Sequence, residues 1–562
     1  MKTLDIAATL AEAILNNSER DSPGFTFVDG RASAQDVTWR QQGMSVLALA
    51  ATLHRIGLAK GDRVALTLKD PHDFVDVFLA CVVRGILPVP LAPAPTFGDA
   101  QTYMEHLRLM LSAAECSHLI TASDEASSLV SFGASSPGFP RVIAVSWLRE
   151  NRTRADDSMP TIGPHDPCFI QFSSGSTYSP KGVVISHRNL VSNCRATHER
   201  LDSDPEADVG VNWLPLYHDM GLIGSVVTPT LSAGRQVLIP TQAFAARPGI
   251  WLKAVHDHGG TISATNNFGL RAATKRPPRV ERLDLRRLRA VIVGGEQVNH
   301  TTVSSFVHRF ASSGLRAEAL CAAYGLAEAT LCVASQSPRA RPRVVRVDPN
   351  RNHLGAVEPT SRSAGHPVVG CGSALKGHQI TIRDQAGGLL KENEIGEIWV
   401  QGPSVTAGYW GSGGVREHPL SGGWLRTGDL GFLNGEAELF VVGRVKEIVI
   451  VAGRNYAPHG IEHEVERIEG VRPERVAAFS VGSVQGDELV VAFECRNPTK
   501  VDGLARKVRM TLATRLGLRP REVIVMPPWT LPMTTSGKVQ RLKTKAAYDA
   551  GLLPRLNTIE AQ

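Results

Sequence analysis

The sequence predicts an α/β fold in two parts, a large N-terminal region of layered helices and largely parallel sheets and a smaller α+β region at the C-terminus. Helical periodicity alternates with short β-branched segments at 63–67, 117–121, 142–145, 236–239 and 290–293, and this alternation is typical of parallel α/β layers. After Gly443 the pattern changes to closely spaced strands and helices. These two observations predict the fold class.

The length requires more than one packed unit. The chain has 562 residues, whereas a domain usually holds about 100–200, so we expect two to four units. Hydrophobic residues make up 43% and charged residues 20%, which excludes a disordered or collagen-like chain.

Charge, cysteines and hydropathy narrow the function classes. The net charge of +7 is a mild bias, and no motif indicates nucleic acid as a partner. Eight scattered cysteines without a C-x-x-C pair favour a reducing compartment, so we expect the cytoplasm. The first 21 residues predict an amphipathic helix rather than a signal peptide. Arg84, Pro88 and Pro90 interrupt the apolar segment 78–91, so no membrane insertion is expected.

The C-terminal region predicts a separate small domain. A strand at 447–451 precedes a helix from about Gly460, strands at 476–481 and 489–494, and a helix from Val501. About 120 residues suffice for an independent unit. We place the boundary between Gly443 and Lys446, which divides the chain into residues 1–442 and 443–562.

The loop 173–182 is the strongest local signal of chemistry. It is rich in hydroxyl groups and glycine and lies between apolar segments 168–172 and 183–185. Backbone N–H groups, hydroxyls and the Lys181 ammonium suit a polyanion, which predicts a phosphate-binding loop. It is not a Walker A loop, since Pro180 and Gly182 stand where that motif needs Gly and Ser or Thr. The alternative is a flexible surface turn.

Four further motifs follow this loop, and with it they carry a resemblance over nearly the whole chain. They are YGLAE at 324–328, WLRTGD at 424–429, GRVKE at 443–447 and PMTTSGK at 532–538. In this order they resemble the core motifs of the adenylate-forming superfamily of acyl-CoA synthetases, non-ribosomal adenylation domains and luciferases. The resemblance implies a small barrel-like β part in the large domain and a mobile lid at the C-terminus.

A narrower resemblance is to the fatty acyl-AMP ligases. It is carried by WLPLYHDMGLIG at 213–224, YGLAEATL at 324–331 and VGCG at 369–372. Residues 341–362 fall where that family carries an insertion that restrains lid movement. The resemblance implies activation of a fatty acid by ATP with Mg²⁺, then transfer of the acyl group to an acyl carrier protein or to a carrier domain of a polyketide or non-ribosomal peptide synthase.

The resemblance also implies roles for the lid and metal residues. Lys538 would bridge the attacking carboxylate and the α-phosphate, where positive charge stabilises the transition state. Lys446 would be the hinge of the lid. Glu328 would hold Mg²⁺, a hard cation that prefers oxygen ligands. For each of these residues the alternative is an ordinary surface side chain.

The remaining implied residues surround ATP and the acid. Asp429 would accept hydrogen bonds from the ribose hydroxyls, and His218 would lie beside the reacting carboxylate, the alternative being a core histidine. Asp219 could pair with a substrate ammonium, which leaves an amino acid substrate open. Asn266, Asn267 and Phe268 would line the acyl tunnel. The implied nucleotide-binding residues are Ser173, Ser174, Gly175, Ser176, Thr177, Lys181, Gly294, Gly295, Glu296, Tyr324, Gly325, Asp429 and Arg444.

Some positions depart from the family pattern. Tyr178 stands where Gly or Arg is usual, and the segment ATNNF at 264–268 replaces Gly-Gly-Pro-Asn-Phe. Because that segment would line the tunnel, acyl-chain length stays open. The arginines at 276–289 form either a solvated face or a docking surface for an acidic carrier protein. His256 and His258 do not share a helix face, so a metal site there is not expected.

Two rival functions remain at this point. An acyl-CoA synthetase would share the first half-reaction but use coenzyme A as acceptor, and the insertion at 341–362 distinguishes it. A non-catalytic homologue would only bind nucleotide or carrier protein. The presence of Lys181, Glu328, Asp429 and Lys538 argues against that second rival.

Overall fold

The structure is a computed structural model. It describes residues 6–30, 33–95, 100–153, 159–172, 181–278, 280, 282–347, 366–411, 414–417, 420–451, 454–483, 486–499, 501, 503–534 and 537–560. The loop residues 173–180, and residues 348–362 of the predicted insertion, lie outside the described residues.

The α-helices are numbered in chain order. They are α1 Leu10–Asn17, α2 Trp39–Arg55, α3 Pro71–Val83, α4 Ala100–Ala113, α5 Ser123–Ala134, α6 Val145–Glu150, α7 His187–Leu201, α8 Asp219–Leu222, α9 Thr228–Ser232, α10 Thr241–Ala246, α11 Gly249–Asp257, α12 Asn267–Lys275, α13 His300–Phe310, α14 Pro458–Glu466, α15 Leu504–Leu516 and α16 Arg541–Asp549. A π-helical turn, Ile223–Val227, joins α8 to α9.

The strands are numbered in the same way. They are β1 Pro23–Val28, β2 Ala34–Thr38, β3 Arg63–Thr67, β4 Leu87–Pro90, β5 His118–Thr121, β6 Arg141–Ala144, β7 Pro167–Phe172, β8 Gly182–Ser186, β9 Val209–Asn212, β10 Arg235–Leu238, β11 Ile262–Thr265, β12 Ala290–Val293, β13 Leu320–Gly325, β14 Cys332–Ser335, β15 Val344–Val347, β16 His366–Val369, β17 Ser373–Ala374, β18 Gln379–Arg383, β19 Gly396–Gln401, β20 Gly408–Gly411, β21 Gly414–Glu417, β22 Leu425–Leu433, β23 Leu439–Arg444, β24 Val449–Val451, β25 Arg454–Tyr456, β26 Val471–Ser483, β27 Gly486–Cys495, β28 Glu522–Met526 and β29 Asn557–Glu560.

A nine-stranded sheet is the centre of the large region. Its order is β17-β14-β13-β12-β11-β9-β10-β1-β2. The six strands from β13 to β1 run parallel, and β2, β14 and β17 pair antiparallel at the two edges. The carboxyl ends of the parallel strands therefore meet at one edge, where ligands of α/β sheets usually bind.

A second sheet, β4-β3-β5-β6, is parallel throughout. Residues 64–67 of β3 are buried, as expected for a strand covered on both faces. Together the two sheets confirm the predicted α/β class with largely parallel sheets. The predicted strands at 63–67 and 290–293 are observed with the same bounds.

The remaining sheets of the large region are antiparallel. Strands β7 and β8 form a hairpin that continues into β20 and β21, so the loop 173–181 connects two hydrogen-bonded strands. A separate four-stranded sheet, β18-β19-β22-β23, is observed in the large region; the small barrel-like β part that the resemblance implied stays a prediction. Residues Asp429 and Arg444 are paired neighbours in this sheet.

The C-terminal residues have their own core. One cluster of buried side chains joins α14 and α15 to β26, β27 and β28, and another packs beneath α16. All members of both clusters lie at or after Val449. Helix α14 begins at Pro458 rather than at Gly460, since proline suits the first position of a helix. We refer to residues 443–560 as the C-terminal segment; its independence as a domain remains a prediction.

In the described ranges, no helix combines the length and apolar character needed to cross a bilayer.

Candidate functional site

A buried carboxylate, a phenol and a guanidinium form the first part of the site. Asp429 on β22 accepts a hydrogen bond from the Tyr324 hydroxyl at 2.8 Å and pairs with the Arg444 Nε at 2.9 Å. The Asp429 side chain is 9% exposed. Burial raises the pKa of Asp429, against the opposing charge of Arg444, while that carboxylate raises the pKa of Arg444. Each carboxylate oxygen keeps a second lone pair that could accept a hydroxyl.

Two glycines allow the backbone to pass close to this group. A Cβ atom on Gly325 would lie 1.7 Å from the carbonyl oxygen of Leu331, so no other residue fits without moving the chain. Gly295 has a φ of +78°, a conformation that glycine adopts without cost. Both positions therefore favour glycine, Gly325 because a Cβ atom would clash and Gly295 because its φ is positive.

The turn that carries Lys538 is held by its own hydrogen bonds. Thr534 N–H donates to the Lys538 carbonyl oxygen at 2.8 Å, and Lys538 N–H donates to Thr534 Oγ1 at 2.9 Å. Gly537 has a φ of +84°. The turn brings the Lys538 Nζ over Gly295, where a Cβ atom built on that glycine would lie 3.7 Å away. A cation of the C-terminal segment thus reaches the carboxyl edge of the large sheet.

His218 and Asp219 lie near the same ammonium group. Burial, assisted by the charge of Lys538, lowers the pKa of His218 to about 4, so this imidazole is neutral at pH 7. Burial raises the pKa of Asp219 while Lys538 opposes that shift. The Asp219 Oδ1 accepts the Met220 N–H at 2.7 Å.

Glu328 and Lys181 approach one another through Tyr409, which the sequence analysis did not identify. The Tyr409 hydroxyl donates to Glu328 Oε1 at 2.9 Å, and the Lys181 Nζ lies 4.9 Å from the centre of the Tyr409 ring. Thr330, two residues after Glu328, has a φ of +71° and donates to the Ser404 carbonyl oxygen at 2.6 Å. Because Tyr409 lies outside every motif, its contacts with Glu328 and Lys181 could not be predicted from the sequence.

The turn 294–296 is fastened to helix α12. Glu296 Oε1 accepts the Asn267 N–H at 3.0 Å, and Asn267 Nδ2 donates to the Gln297 carbonyl oxygen at 2.9 Å. Asn266 caps the helix by accepting the Gly269 N–H at 3.0 Å. Phe268 packs edge-on against two other aromatic rings. Of the three residues predicted to line the acyl tunnel, Asn267 lies at the cavity described next, and the other two line neither described cavity.

Two cavities meet at the carboxyl edge of the large sheet. The first, which we call the junction cavity, has a volume of about 250 Å³ and lies between the large region and the C-terminal segment. The residues named from the sequence that line it are Asn267, Gly295, Glu296, Tyr324, Gly325, Asp429, Arg444 and Lys538. His218, Lys181, Glu328 and Lys446 line neither this cavity nor the second one.

The second cavity, which we call the deep channel, has a volume of about 180 Å³. It shares Gly295, Ala323, Tyr324 and Gly325 with the junction cavity and continues between the large sheet and the helices α7 to α9. Its floor includes Val211, Ile262, Ala264 and Ile292 on three parallel strands. The opposite wall carries the small residues Gly224, Ser225, Thr228 and Ser232.

Predicted site residues from both parts of the chain lie together in the structure. The structure brings together Lys538, Gly295, Tyr324, Asp429 and Arg444, which come from both parts of the chain. Lys446 lies in the short turn Val445–Glu447 directly after β23. The predicted phosphate contacts Ser173, Ser174, Gly175, Ser176 and Thr177 lie outside the described residues.

The fold is that of an adenylate-forming enzyme, as comparison with known proteins shows. The profile of the family described as AMP-binding enzyme matches residues 15–410, so the chain belongs to that family. Among its relatives is the long-chain-fatty-acid–AMP ligase FadD26 of Mycobacterium bovis. The two sequences are 31% identical over an alignment of 576 positions, which covers 96% of this chain and 97% of that protein. The predicted membership of the adenylate-forming superfamily is confirmed.

Two further comparisons extend this result. A Caulobacter vibrioides protein provisionally named an acyl-CoA synthetase is 34% identical over 515 residues, covering 90% of this chain and 89% of its own length. A solved structure from a study of fatty acyl-adenylate ligases of E. coli and L. pneumophila superposes with a TM-score of 0.90 at 30% identity, covering 98% of this chain and 99% of the other.

Proposed function

We propose that the protein activates a fatty acid with ATP and passes the acyl group to the phosphopantetheine thiol of an acyl carrier protein or carrier domain. In the first step a carboxylate oxygen of the acid attacks the α-phosphorus of ATP, the bond to the β-phosphate breaks, and acyl-AMP and pyrophosphate form. In the second step the thiol attacks the acyl carbon and AMP leaves. The similarity to fatty acyl-AMP ligases supports this proposal.

One observation carries it: the Lys538 Nζ lies over Gly295, where the junction cavity and the deep channel meet. With ATP in the first cavity and an acyl chain in the second, the carboxylate and the α-phosphate would meet at this ammonium. A fixed positive charge at that point stabilises the charge that accumulates in the transition state. In this proposal Lys538 is the catalytic cation, and neutral His218 lies beside the carboxylate.

The nucleotide would be held by residues of both cavities. Asp429 would accept the ribose hydroxyls, with Tyr324 and Arg444 fixing its orientation through the hydrogen bonds already described. Gly294, Gly295, Glu296 and Gly325 would form the adenine side of the pocket. Lys181, with residues 173–177, would contact the β- and γ-phosphates.

Glu328 suits a magnesium ion that is shared with phosphate oxygens. Mg²⁺ prefers oxygen ligands, keeps several waters and is usually bound through one or two carboxylates plus substrate phosphates. In the described part of the chain no group of three or more His, Cys, Asp or Glu side chains forms a metal site, so one carboxylate with phosphate oxygens fits better than a protein cage. When bound, the ion would neutralise charge on the pyrophosphate leaving group.

The C-terminal segment would act as a lid that turns about Lys446 between the two steps, with the boundary at 442/443. The insertion 341–362 would limit that turn and disfavour coenzyme A. Its first residues are anchored to the large region, since Arg341 pairs with Glu318 at 2.7 Å and Arg343 with Glu436 at 2.7 Å. All eight cysteines are buried and unpaired, which supports a cytoplasmic location.

Product analysis by mass spectrometry tests this function. The protein is incubated with ATP, Mg²⁺ and acids of different chain lengths, with either coenzyme A or a phosphopantetheinylated carrier protein. We expect acyl-AMP, transfer to the carrier and little acyl-CoA. Deleting 348–362 should raise acyl-CoA formation. Efficient acyl-CoA formation by the intact protein would contradict the assigned acceptor.

A further inference from the structure

The far end of the deep channel is polar, although its middle is apolar. From Asp219 to Ser232 the helical wall advances 13 residues, about 20 Å at the usual helical rise, away from the reaction centre. The channel ends between the C-terminal turns of α7 and the amino end of β10. Residues lining this end, which we call the distal pocket, are Thr197, His198, Ser203, Asp204, Asp208 and Arg235.

Several charged groups near the distal pocket are already paired. Asp208 is bound by Arg289, whose Nε lies 2.9 Å from its Oδ1, and it accepts the Thr261 hydroxyl at 2.8 Å. Arg200 donates to the Ala374 carbonyl oxygen at 2.8 Å. If the bound acid were a dicarboxylic acid, its far carboxylate would be repelled there by the carboxylates of Asp204 and Asp208. The pocket is therefore better suited to an uncharged polar group.

Three buried polar atoms of the distal pocket have no hydrogen-bond partner among the described residues. They are Thr197 Oγ1, His198 Nε2 and Arg235 Nε. The other His198 nitrogen, Nδ1, is bonded to the Ser203 hydroxyl. An unsatisfied buried polar atom is unfavourable, and all three atoms belong to residues that line the distal pocket.

We propose that the preferred acid carries a hydroxyl group at or near the end of its chain, bound by Thr197 and His198. Burial lowers the pKa of His198 to about 4, so its ring is neutral and can exchange one hydrogen bond with a hydroxyl. The apolar middle of the channel, including Val211 and Ile292, accepts the methylene chain. This inference rests on the proposed function, since it names the acid that enters the same channel.

The test compares acids of 8–18 carbons with their ω-hydroxy counterparts, using pyrophosphate release to obtain kcat/KM. We expect a preference for the ω-hydroxy acid of about tenfold at one chain length, the value of one net hydrogen bond. Thr197→Val keeps the side-chain shape and removes the hydroxyl. His198→Asn keeps a polar atom near the position of Nδ1 and removes Nε2. Each variant should reduce the preference for the ω-hydroxy acid. Thr230→Val is the matched control, because Thr230 is buried and its hydroxyl is bonded to the Val226 carbonyl oxygen.

The outcomes separate this inference from the proposed function. No acyl-AMP from any acid would contradict the function itself. Acyl-AMP from plain and ω-hydroxy acids with equal kcat/KM at every length would overturn the inference alone and would indicate water at the distal pocket. A preference that both variants retain would also overturn it.

Discussion

At the scale of single residues, the site depends on side chains whose surroundings change their chemistry. Lys538 belongs to a basic sequence, yet its hydrogen-bonded turn brings its Nζ over Gly295. Asp429 is buried against Tyr324 and Arg444. Neither environment follows from residue type, because each includes a contact with a residue more than 100 positions away, Lys538 with Gly295 and Asp429 with Tyr324.

Replacing Lys538 tests its proposed role. Lys538→Ala should lower acyl-AMP formation by about 10²-fold or more, because a cation that stabilises the transition state is lost. Pyrophosphate release measures this step, and circular dichroism checks that the fold is intact. The matched control is Lys543→Ala, which removes a lysine of the same basic stretch. Unchanged activity of Lys538→Ala would contradict the role.

A buried histidine makes stability depend on pH. His187 is fully buried, its Nδ1 accepts the Leu10 N–H at 3.1 Å, and burial lowers its pKa to about 4. The unfolded side chain has a pKa of about 6.5, so between these values the unfolded state binds more protons and stability falls as the pH falls. From pH 6.5 to 4 this one group lowers the free energy of unfolding by up to about 3 kcal/mol.

Urea denaturation at pH 7 and pH 5 measures this effect. The variant His187→Asn should lose less stability on acidification than the wild type, because it has no imidazole to protonate. His54→Asn, an exposed change on α2, serves as the control and should behave like the wild type. If His187→Asn lost as much stability between pH 7 and pH 5 as His54→Asn, groups other than His187 would cause the pH dependence.

At the scale of elements, the segment α8 to α9 shapes the deep channel. Its π-helical turn and small residues leave space against the large sheet. A Cβ atom on Gly224 would meet nothing within 4 Å, so the channel is open at this point. The width of the channel is therefore set by side-chain size along one helical wall.

A larger residue at Gly224 should shorten the accepted acid. Gly224→Met would project into the channel and shift the preferred chain length downward, because the far end becomes blocked. The readout is the kcat/KM of acyl-AMP formation across acids of different length. Gly30→Met is the control, since it also adds a side chain where a Cβ meets nothing within 4 Å but Gly30 does not line the channel. An unchanged length profile in Gly224→Met would place the acyl chain elsewhere.

At the scale of the whole molecule, an ion pair links the large region to the C-terminal segment. Arg271 on α12 pairs with Glu474 in β26. Burial lowers the pKa of Arg271 to about 10, so it is charged at neutral pH. Glu474 has a φ of +57°, and its N–H donates to Glu466 Oε1 at 2.7 Å. This pair should stabilise the arrangement in which Lys538 reaches Gly295.

Breaking this pair should affect the two half-reactions unequally. Arg271→Ala is expected to lower acyl-AMP formation by about tenfold, a free-energy change of about 1.4 kcal/mol, and to affect acyl transfer from preformed acyl-AMP less. Arg515→Ala removes an ion pair inside the C-terminal segment, with Glu464 at 3.1 Å, and is the control. Equal losses in both half-reactions would contradict a role in positioning the C-terminal segment.

Much of the fold and part of the site could be predicted from the sequence. Strands such as 63–67 and 290–293 were predicted with their observed bounds, because continuous β-branched segments between turns are local signals. Helix α14 was predicted two residues late, since the effect of Pro458 at a helix start was not used. The motif residues Tyr324, Asp429, Arg444 and Lys538 were identified because resemblance preserves their order along the chain.

The sequence by itself determined the fold class, the family and the residue types available for adenylate chemistry. Only the tertiary structure decided that Tyr409 contacts Glu328 and Lys181, that Asn266 and Phe268 lie away from both cavities, and that Thr197, His198 and Arg235 meet at the end of one channel. The reason is physical: periodicity and motifs report local conformation and composition, whereas contacts between distant segments depend on how whole layers pack.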